Sequence, residues 1–300
     1  MMRAIRFAST LGFSIEKESL KAIGQNKKRL EIITQERITE EFNKIILSEI
    51  PSKGINLLSE TGLLGFFFPE FELLRGVEKR NGITHKDNYY HTLQVLDNIS
   101  KETRNLWLRW AAILHDIAKP NTKRFNNKNG WTFHGHEHLG SKMVYNIFKR
   151  LKLPLNEHMK YVQKLVLLHL RPIALVNNKV TDSAIRRLLF DAKQDINDLM
   201  ILSRADITSK NDIKVKKYTK NLILVSNKLK EVEKKDKMSS WRPPITGKII
   251  MNKLNIPPSK EVGIIKQSIQ DAILDGKIEN TYEAAEIYMY DIAKDILKKS

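Results

Sequence analysis

The string LWLRWAAILHDI, residues 106–117, constrains this chain more than any other stretch. Its apolar residues cover more than one face at helical spacing, so a helix here must be enclosed by other elements. His115 and Asp116 fall inside that apolar run. Taking such a pair out of water is expensive unless something compensates. A metal ion is one compensator, because His offers a neutral nitrogen and Asp an anionic oxygen.

Helical spacing continues through residues 160–170, 183–192, 195–207, 222–234 and 262–274, and a Lys-rich helix spans 215–237. Strand alternation is nearly absent. The best candidate, 130–134, reads as a loop or hairpin edge. The fold class is therefore all-α. Gly12, Gly54, Gly62 and Pro69 mark turns in a helical front part, 1–80. A central helical bundle, 81–237, carries every His of the chain. The breaker-rich segment 239–244 (SSWRPP) bounds a small helical tail, 238–300. Hydrophobic residues make up 41%, which excludes general disorder. The absence of Cys excludes a disulfide scaffold, a thiolate zinc finger and a Cys nucleophile, and fits a reducing compartment. No apolar run approaches the roughly 20 residues of a membrane helix. Ser9, Thr10 and Gly12 break the start too often for a signal peptide. A cytoplasmic protein with no membrane partner is expected.

Ligand types recur at wide separations around His115-Asp116. His91 lies upstream, Asp206 downstream, and His134, His136, His138 and His169 between them. One His in an apolar helix is more often a hydrogen-bonded core residue than a ligand. The set His91, His115, Asp116 and Asp206 nevertheless favours a metal over a purely structural role. His136 and His169 are further candidate ligands or phosphate binders. His85 and His158 read as surface residues, and of His134, His136 and His138 at most two can aim at one point.

These residues resemble the HD phosphohydrolase pattern, in which helices supply His, His-Asp and Asp to one metal. The longer string His115-Asp116-Ile117-Ala118-Lys119-Pro120 is similar to the HD region of bacterial CCA-adding tRNA nucleotidyltransferases and related poly(A) polymerases. Arg3-Ala4-Ile5-Arg6-Phe7-Ala8, Leu11-Gly12-Phe13 and Glu36-Arg37-Ile38 resemble that family's neck helices. Pro243-Pro244-Ile245-Thr246-Gly247, Val262-Gly263 and residues 273–278 (ILDGKI) resemble its tail. The resemblance implies a helical neck or body at 1–80, an HD domain at 81–237 and a tRNA-gripping tail at 238–300. It also implies phosphomonoester or 2′,3′-cyclic phosphodiester hydrolysis at RNA ends with a divalent ion. Mixed His and carboxylate ligation does not choose among Mn, Ni, Fe, Mg and Zn. Asp116 is the expected catalytic residue, with Lys119 meeting a substrate phosphate. The family's nucleotidyltransferase head has a Gly-Ser turn, paired carboxylates on a strand and an Arg-Arg-Asp segment. None of these occurs here, so no CTP or ATP addition is expected from these residues alone. A truncated gene, an internal start at Met1-Met2, or a partner for a separately encoded head are the readings of that difference.

The balance of 52 Lys+Arg against 34 Asp+Glu gives a net charge of +18, which attracts polyanions. Basic clusters at 27–29, 149–150, 186–187, 214–220 and 228–237 suit tRNA or another structured RNA. Arg3, Arg6, Lys123 and Arg124 are the candidate RNA or phosphate contacts. Trp131, Phe133 and Trp241 are candidates to stack on bases, although packing is the commoner role of such residues. Two alternatives stay open: a non-catalytic tRNA-binding part of a nucleotidyltransferase, and a regulatory HD hydrolase of small nucleotides. Apolar surface near Leu11 and Phe13 is expected to be exposed.

Overall fold

Helix after helix closes around residues 106–114, as the enclosed apolar string demands. The computed structural model describes residues 1–177, 181–209, 211–236, 238 and 241–298. Among them the only sheets are two short hairpins, which bears out the all-α expectation. The chain divides into two compact units. The first comprises Met1–Ala174 and Asn197–Leu222.

The first unit opens with α1 (Met2–Thr10), α2 (Lys17–Gln25), α3 (Gln35–Ile46) and α4 (Pro51–Glu60). The short turns α5 (Leu64–Phe67) and α6 (Pro69–Glu72) follow, then β1 (Lys79–Arg80) paired antiparallel with β2 (Ile83–Thr84). Next come α7 (Asn88–Ser100), α8 (Leu106–Leu114) and α9 (Lys119–Thr122). A second hairpin joins β3 (Arg124–Asn126) to β4 (Gly130–Thr132), with Phe125 opposite Trp131. The hairpin-edge reading of 130–134 thus holds for β4. Then α10 (His136–Arg150) packs on α11 (Glu157–Leu168), and α12 (Arg171–Asn177) follows.

The core centres on α8, which packs against α3, α7 and α11. Trp110 is fully buried and meets Phe42, Phe68 and Phe148 at centroid distances of 5.6, 6.1 and 6.0 Å. Its indole N–H donates to Asn43 Oδ1 at 2.9 Å, so the polar end of the ring is satisfied. Asn105 caps α8, its Oδ1 accepting from the Trp107 and Leu108 amides. The one charged residue of α8, Arg109, is 1% exposed. Its guanidinium donates to the carbonyls of Ile46, Ser48, Ser100 and Thr103 at 2.7–3.0 Å. Those carbonyls close the C-terminal ends of α3 and α7, where helices leave acceptors without partners.

Two expectations need correction here. The helix of the apolar string stops at Leu114, so His115 and Asp116 sit in the turn just beyond it. Gly54 is not a turn: it lies within α4, where a β-carbon would come within 2.5 Å of Ile45 Cγ2 and 2.8 Å of Ser9 Oγ. Glycine there lets α1, α3 and α4 approach closely. Leu11 and Phe13 are 56% and 60% exposed.

Between and beyond these segments lie α13 (Asp182–Ala192), α14 (Ile196–Ala205), α15 (Asp212–Asp236), α16 (Gly247–Leu254), α17 (Lys260–Leu274) and α18 (Tyr282–Lys298). The second unit comprises Leu175–Ile196 and Ile223–Ser300, so it takes α13, the C-terminal half of α15 and everything after. Within it α17 packs on α13, α16 and α18. Arg187 donates to Asp271 and Asp275 at 2.6 and 2.9 Å, and Arg186 to Asp236 at 2.6 Å. These two arginines, read from sequence as part of a basic RNA-facing cluster, are spent on carboxylates of their own unit. Trp241 is likewise buried, packing on Phe190 at 5.2 Å. Of the expected boundary 239–244, residues 239 and 240 lie outside the described residues, as does Lys237. No helix among the described residues is long and apolar enough to cross a membrane.

Candidate metal centre

Six side chains from distant parts of the first unit converge at the ends of its central helices. His91 is on α7, where Asp87 caps the first turn. His115 and Asp116 follow α8 directly, His136 opens α10, His169 follows α11, and Asp206 follows α14. Gly140 allows α10 to reach this point, because a β-carbon there would already touch Val166 at 3.2 Å and Ile117 and Ala118 just beyond. All six are buried or nearly so, with His115 and His169 fully enclosed.

One device orients three of the four imidazoles. His115 Nδ1 lies 2.7 Å from the Ala112 carbonyl, His136 Nδ1 2.7 Å from that of Phe133, and His169 Nδ1 2.6 Å from that of Val166. Each partner is three residues upstream. A carbonyl can only accept, so each Nδ1 carries a proton and donates it. For His115 and His169 the acceptors belong to the last turns of α8 and α11, which would otherwise lack partners. Every Nε2 is thereby aimed at the cluster. His91 has a different anchor: its Nδ1 is 2.6 Å from Thr208 Oγ1, and Lys86 Nζ donates to the Thr208 carbonyl at 2.7 Å. Thr208 and Lys86 carry no signal in the sequence, since a hydroxyl two residues after Asp206 is unremarkable until α14 and α7 are placed side by side.

The converging atoms form two adjoining sets. Ligand atoms of His91, His115 and Asp206 lie within 4.8 Å of one another, as do those of Asp116, His136 and His169. Asp116 faces both. Its Oδ2 is 3.3 Å from His115 Nε2 and 3.5 Å from His91 Nε2, while its Oδ1 is 3.3 Å from His136 Nε2 and 3.9 Å from His169 Nε2. Asp206 Oδ1 is 2.9 Å from His91 Nε2. Two pairs of imidazole Nε2 atoms face each other at 3.4 Å, His91 with His115 and His136 with His169. With Nδ1 protonated on both His136 and His169, their facing Nε2 lone pairs repel unless a cation or proton lies between them. Asp116 Oδ2 is buried and accepts no aligned hydrogen bond, although the Lys119 ammonium stands 2.6 Å away as a charge contact. An orphaned carboxylate oxygen beside facing nitrogens fits a divalent cation.

The electrostatics show the same demand for positive charge. Full burial works against an imidazolium at His115, yet Asp116 and Asp206 outweigh it and push its pKa up to about 10. Burial, with His115 beside it, drives His169 down to about 4. Burial opposes ionisation of Asp116 and Asp206, but His115 and its neighbours hold both carboxyls below the usual range. Two carboxylates thus favour positive charge at the point where a divalent cation would be held.

The other predicted residues are dispersed. Arg6 donates to Glu41 at 2.8 Å, and Lys123 is paired with Glu78. Arg3 is exposed and lines a cavity of about 650 Å³ with Arg29 and Arg37, while Arg124 is exposed at the start of β3. His134 and His138 are exposed, and His158 stacks on Trp107 at 4.5 Å.

Residues 88–211 match the HD domain family, and residues 12–74 the family described as the probable RNA and SrmB-binding site of polymerase A. The chain is 28% identical to the CC-adding tRNA nucleotidyltransferase of Thermus thermophilus, over 96% of this chain and 65% of that one. It is 27% identical to the A-adding tRNA nucleotidyltransferase of Deinococcus radiodurans, over 94% and 65%. The Multifunctional CCA protein of Pseudomonas fluorescens is 32% identical over 51% of this chain and 38% of its own. The chain therefore spans about 65% of the length of the first two relatives. Among solved structures, the Bacillus stearothermophilus CCA-adding enzyme in complex with CTP shares the fold, with a TM-score of 0.54 and 19% identity over all of this chain and 62% of that one.

Proposed function

Starting from a chain homologous over most of its length to CCA-adding tRNA nucleotidyltransferases, we propose that its HD domain is a divalent-metal-dependent phosphohydrolase carried on tRNA-gripping helices. The observation that supports this most is Asp116 standing between two sets of inward-aimed imidazoles. His91, His115, Asp116 and Asp206 would hold one ion, and His136 and His169 extend the donor set through the other oxygen of Asp116. A divalent cation bound there supplies Lewis acidity toward water and toward a phosphoryl oxygen. The chain's own groups do the rest. Asp116, kept anionic, accepts a hydrogen bond from the attacking water and fixes its direction. The Lys119 ammonium, already beside Asp116, meets a non-bridging oxygen of the substrate phosphate. The water oxygen bonds to phosphorus as the ester P–O bond breaks, and the departing oxygen leaves with the proton that the water gives up. The substrates favoured by the family likeness are a phosphomonoester or a 2′,3′-cyclic phosphodiester at an RNA end.

Nucleotide addition is not assigned to these 300 residues. Two-metal transfer of that kind uses paired carboxylates held on a strand, and the described strands carry no acidic residue.

The test is turnover of a chromogenic phosphomonoester and a 2′,3′-cyclic nucleotide by chelated protein resupplied separately with Mn, Ni, Fe, Mg or Zn. Calorimetric titration of the metal runs alongside. Turnover should require metal, and Asp116→Ala should abolish both turnover and stoichiometric binding. Unchanged turnover in that variant would overturn the assignment.

A further inference from the structure

Beside the cluster, the two hairpins form a small surface whose construction the fold does not require. β2 lies against β4, and the Trp131 indole N–H donates to the Ile83 carbonyl at 3.1 Å. Across this surface, a row of rings runs between cations. The Arg80 guanidinium is 4.9 Å from the Phe125 centroid, and Phe125 meets Trp131 edge-on at 5.1 Å. Trp131 meets His85 at 5.3 Å, and His85 meets Phe133 at 5.8 Å. The Lys119 ammonium then lies 5.6 Å from the Phe133 centroid and 2.6 Å from Asp116. Lys123, held by Glu78, adds a further cation 5.5 Å from Trp131.

The rings of this row are only half-buried, whereas the rings that build the core, Trp110, Phe68 and Phe42, are at most 1% exposed. Strands two and three residues long contribute little stability by themselves. Partly exposed rings flanked by cations are what single-stranded nucleic acid binds: bases stack on rings and phosphates meet the charges. A duplex keeps its bases stacked internally and cannot use such rings. At the inner end, a recess of about 180 Å³ opens between His85, Pro120, Lys123 and Phe133. Phe133 also accepts the Nδ1 hydrogen bond of His136, so the row and the cluster share a residue.

We propose that the row from Arg80 through Phe125, Trp131, His85 and Phe133 to Lys119 is a track for single-stranded RNA, whose end it leads into the Asp116 cluster. This deepens the hydrolase reading and rests on it for the fate of the terminal phosphate.

The experiment is fluorescence anisotropy of the full chain in chelator, with a 5′-labelled single-stranded RNA of about five nucleotides. Trp131→Ala and Phe125→Ala should each weaken binding about tenfold to a hundredfold. Trp131→Phe, which keeps a ring, should recover most of the loss. A blunt duplex of the same sequence should bind wild type and Trp131→Ala alike. Circular dichroism confirms that helicity is kept, and Arg80→Gln, an exposed change, gives a second route if Trp131→Ala unfolds. Single-strand affinity unaltered in the ring variants and in Arg80→Gln would overturn the track. No turnover occurs in chelator, so the two readings fail separately. Ring-dependent binding without metal-dependent turnover leaves the track and removes the hydrolase. Turnover with ring-independent binding does the reverse.

Discussion

Asp116 and His115 adjoin in sequence but take opposite roles in charge. In chelated protein His115 keeps its proton up to about pH 10, against an ordinary value of 6.5. Its contribution to stability is complete below pH 6.5 and is lost as pH rises toward 10. His169 works in the other direction. Its neutral form is favoured in the fold, so its contribution is complete above pH 6.5 and is lost as pH falls toward 4. Asp116 and Asp206, held below the carboxylate range, extend that acid limb to lower pH. The melting temperature of chelated protein should therefore decline on both sides of about pH 6.5. A bound divalent ion should flatten the alkaline limb, since a ligating His115 no longer carries the proton. Thermal scans from acid to alkaline pH, with and without metal, check this. Thr208 offers a second test, because it orients His91 without joining the cluster. Thr208→Val should weaken metal binding about tenfold to a hundredfold, and Thr208→Ser should restore it, as read by calorimetry.

Helix ends build the site more than helix faces do. His115 and His169 each follow the last turn of a buried helix and give its free carbonyl a donor. Satisfying the helix and aiming the imidazole are one act. Arg109 does comparable work at the far side of α8, gathering the ends of α3 and α7. The sequence presents Arg109 only as an interruption of an apolar string. The depth at which a helix buries one arginine is set by which helix ends lie around it. Gly54 is legible only in the same way. Ala is ordinarily better than Gly inside a helix by about 1 kcal/mol. Here the added β-carbon meets Ile45, fully buried on α3, and Ser9 on α1. Overpacking costs about 1–3 kcal/mol, so Gly54→Ala should destabilise the protein by up to about 2 kcal/mol net. A lowered denaturation midpoint at unchanged slope is the expected readout.

Over the whole molecule, the 52 Lys and Arg overstate the cations that are free to meet a polyanion. Arg6, Lys123, Arg186 and Arg187 are each engaged with a carboxylate. RNA binding is therefore expected to draw on the remaining lysines and arginines, Arg3 and Arg124 among the exposed ones. Contacts of that kind release counterions, so tRNA affinity should fall linearly with the logarithm of salt concentration. If about six phosphates are neutralised, the loss between about 50 and 200 mM salt is roughly a thousandfold. A flat dependence would mean that charge is not the source of the affinity.

The amino-acid order alone determined the helical class and the candidate ligands His91, His115, Asp116, His136, His169 and Asp206. Both readings rest on local properties: apolar residues recurring at the helical period, and residue types whose chemistry is known before they are placed. Tertiary structure alone decided that Asp116 faces two sets of imidazoles, that Thr208 steadies His91, that Arg186 and Arg187 are consumed, and that rings and cations line up between two hairpins. These depend on how helices cross and where turns end. Pairings such as that of His91 with Thr208, 117 residues apart, leave no periodic trace in the chain.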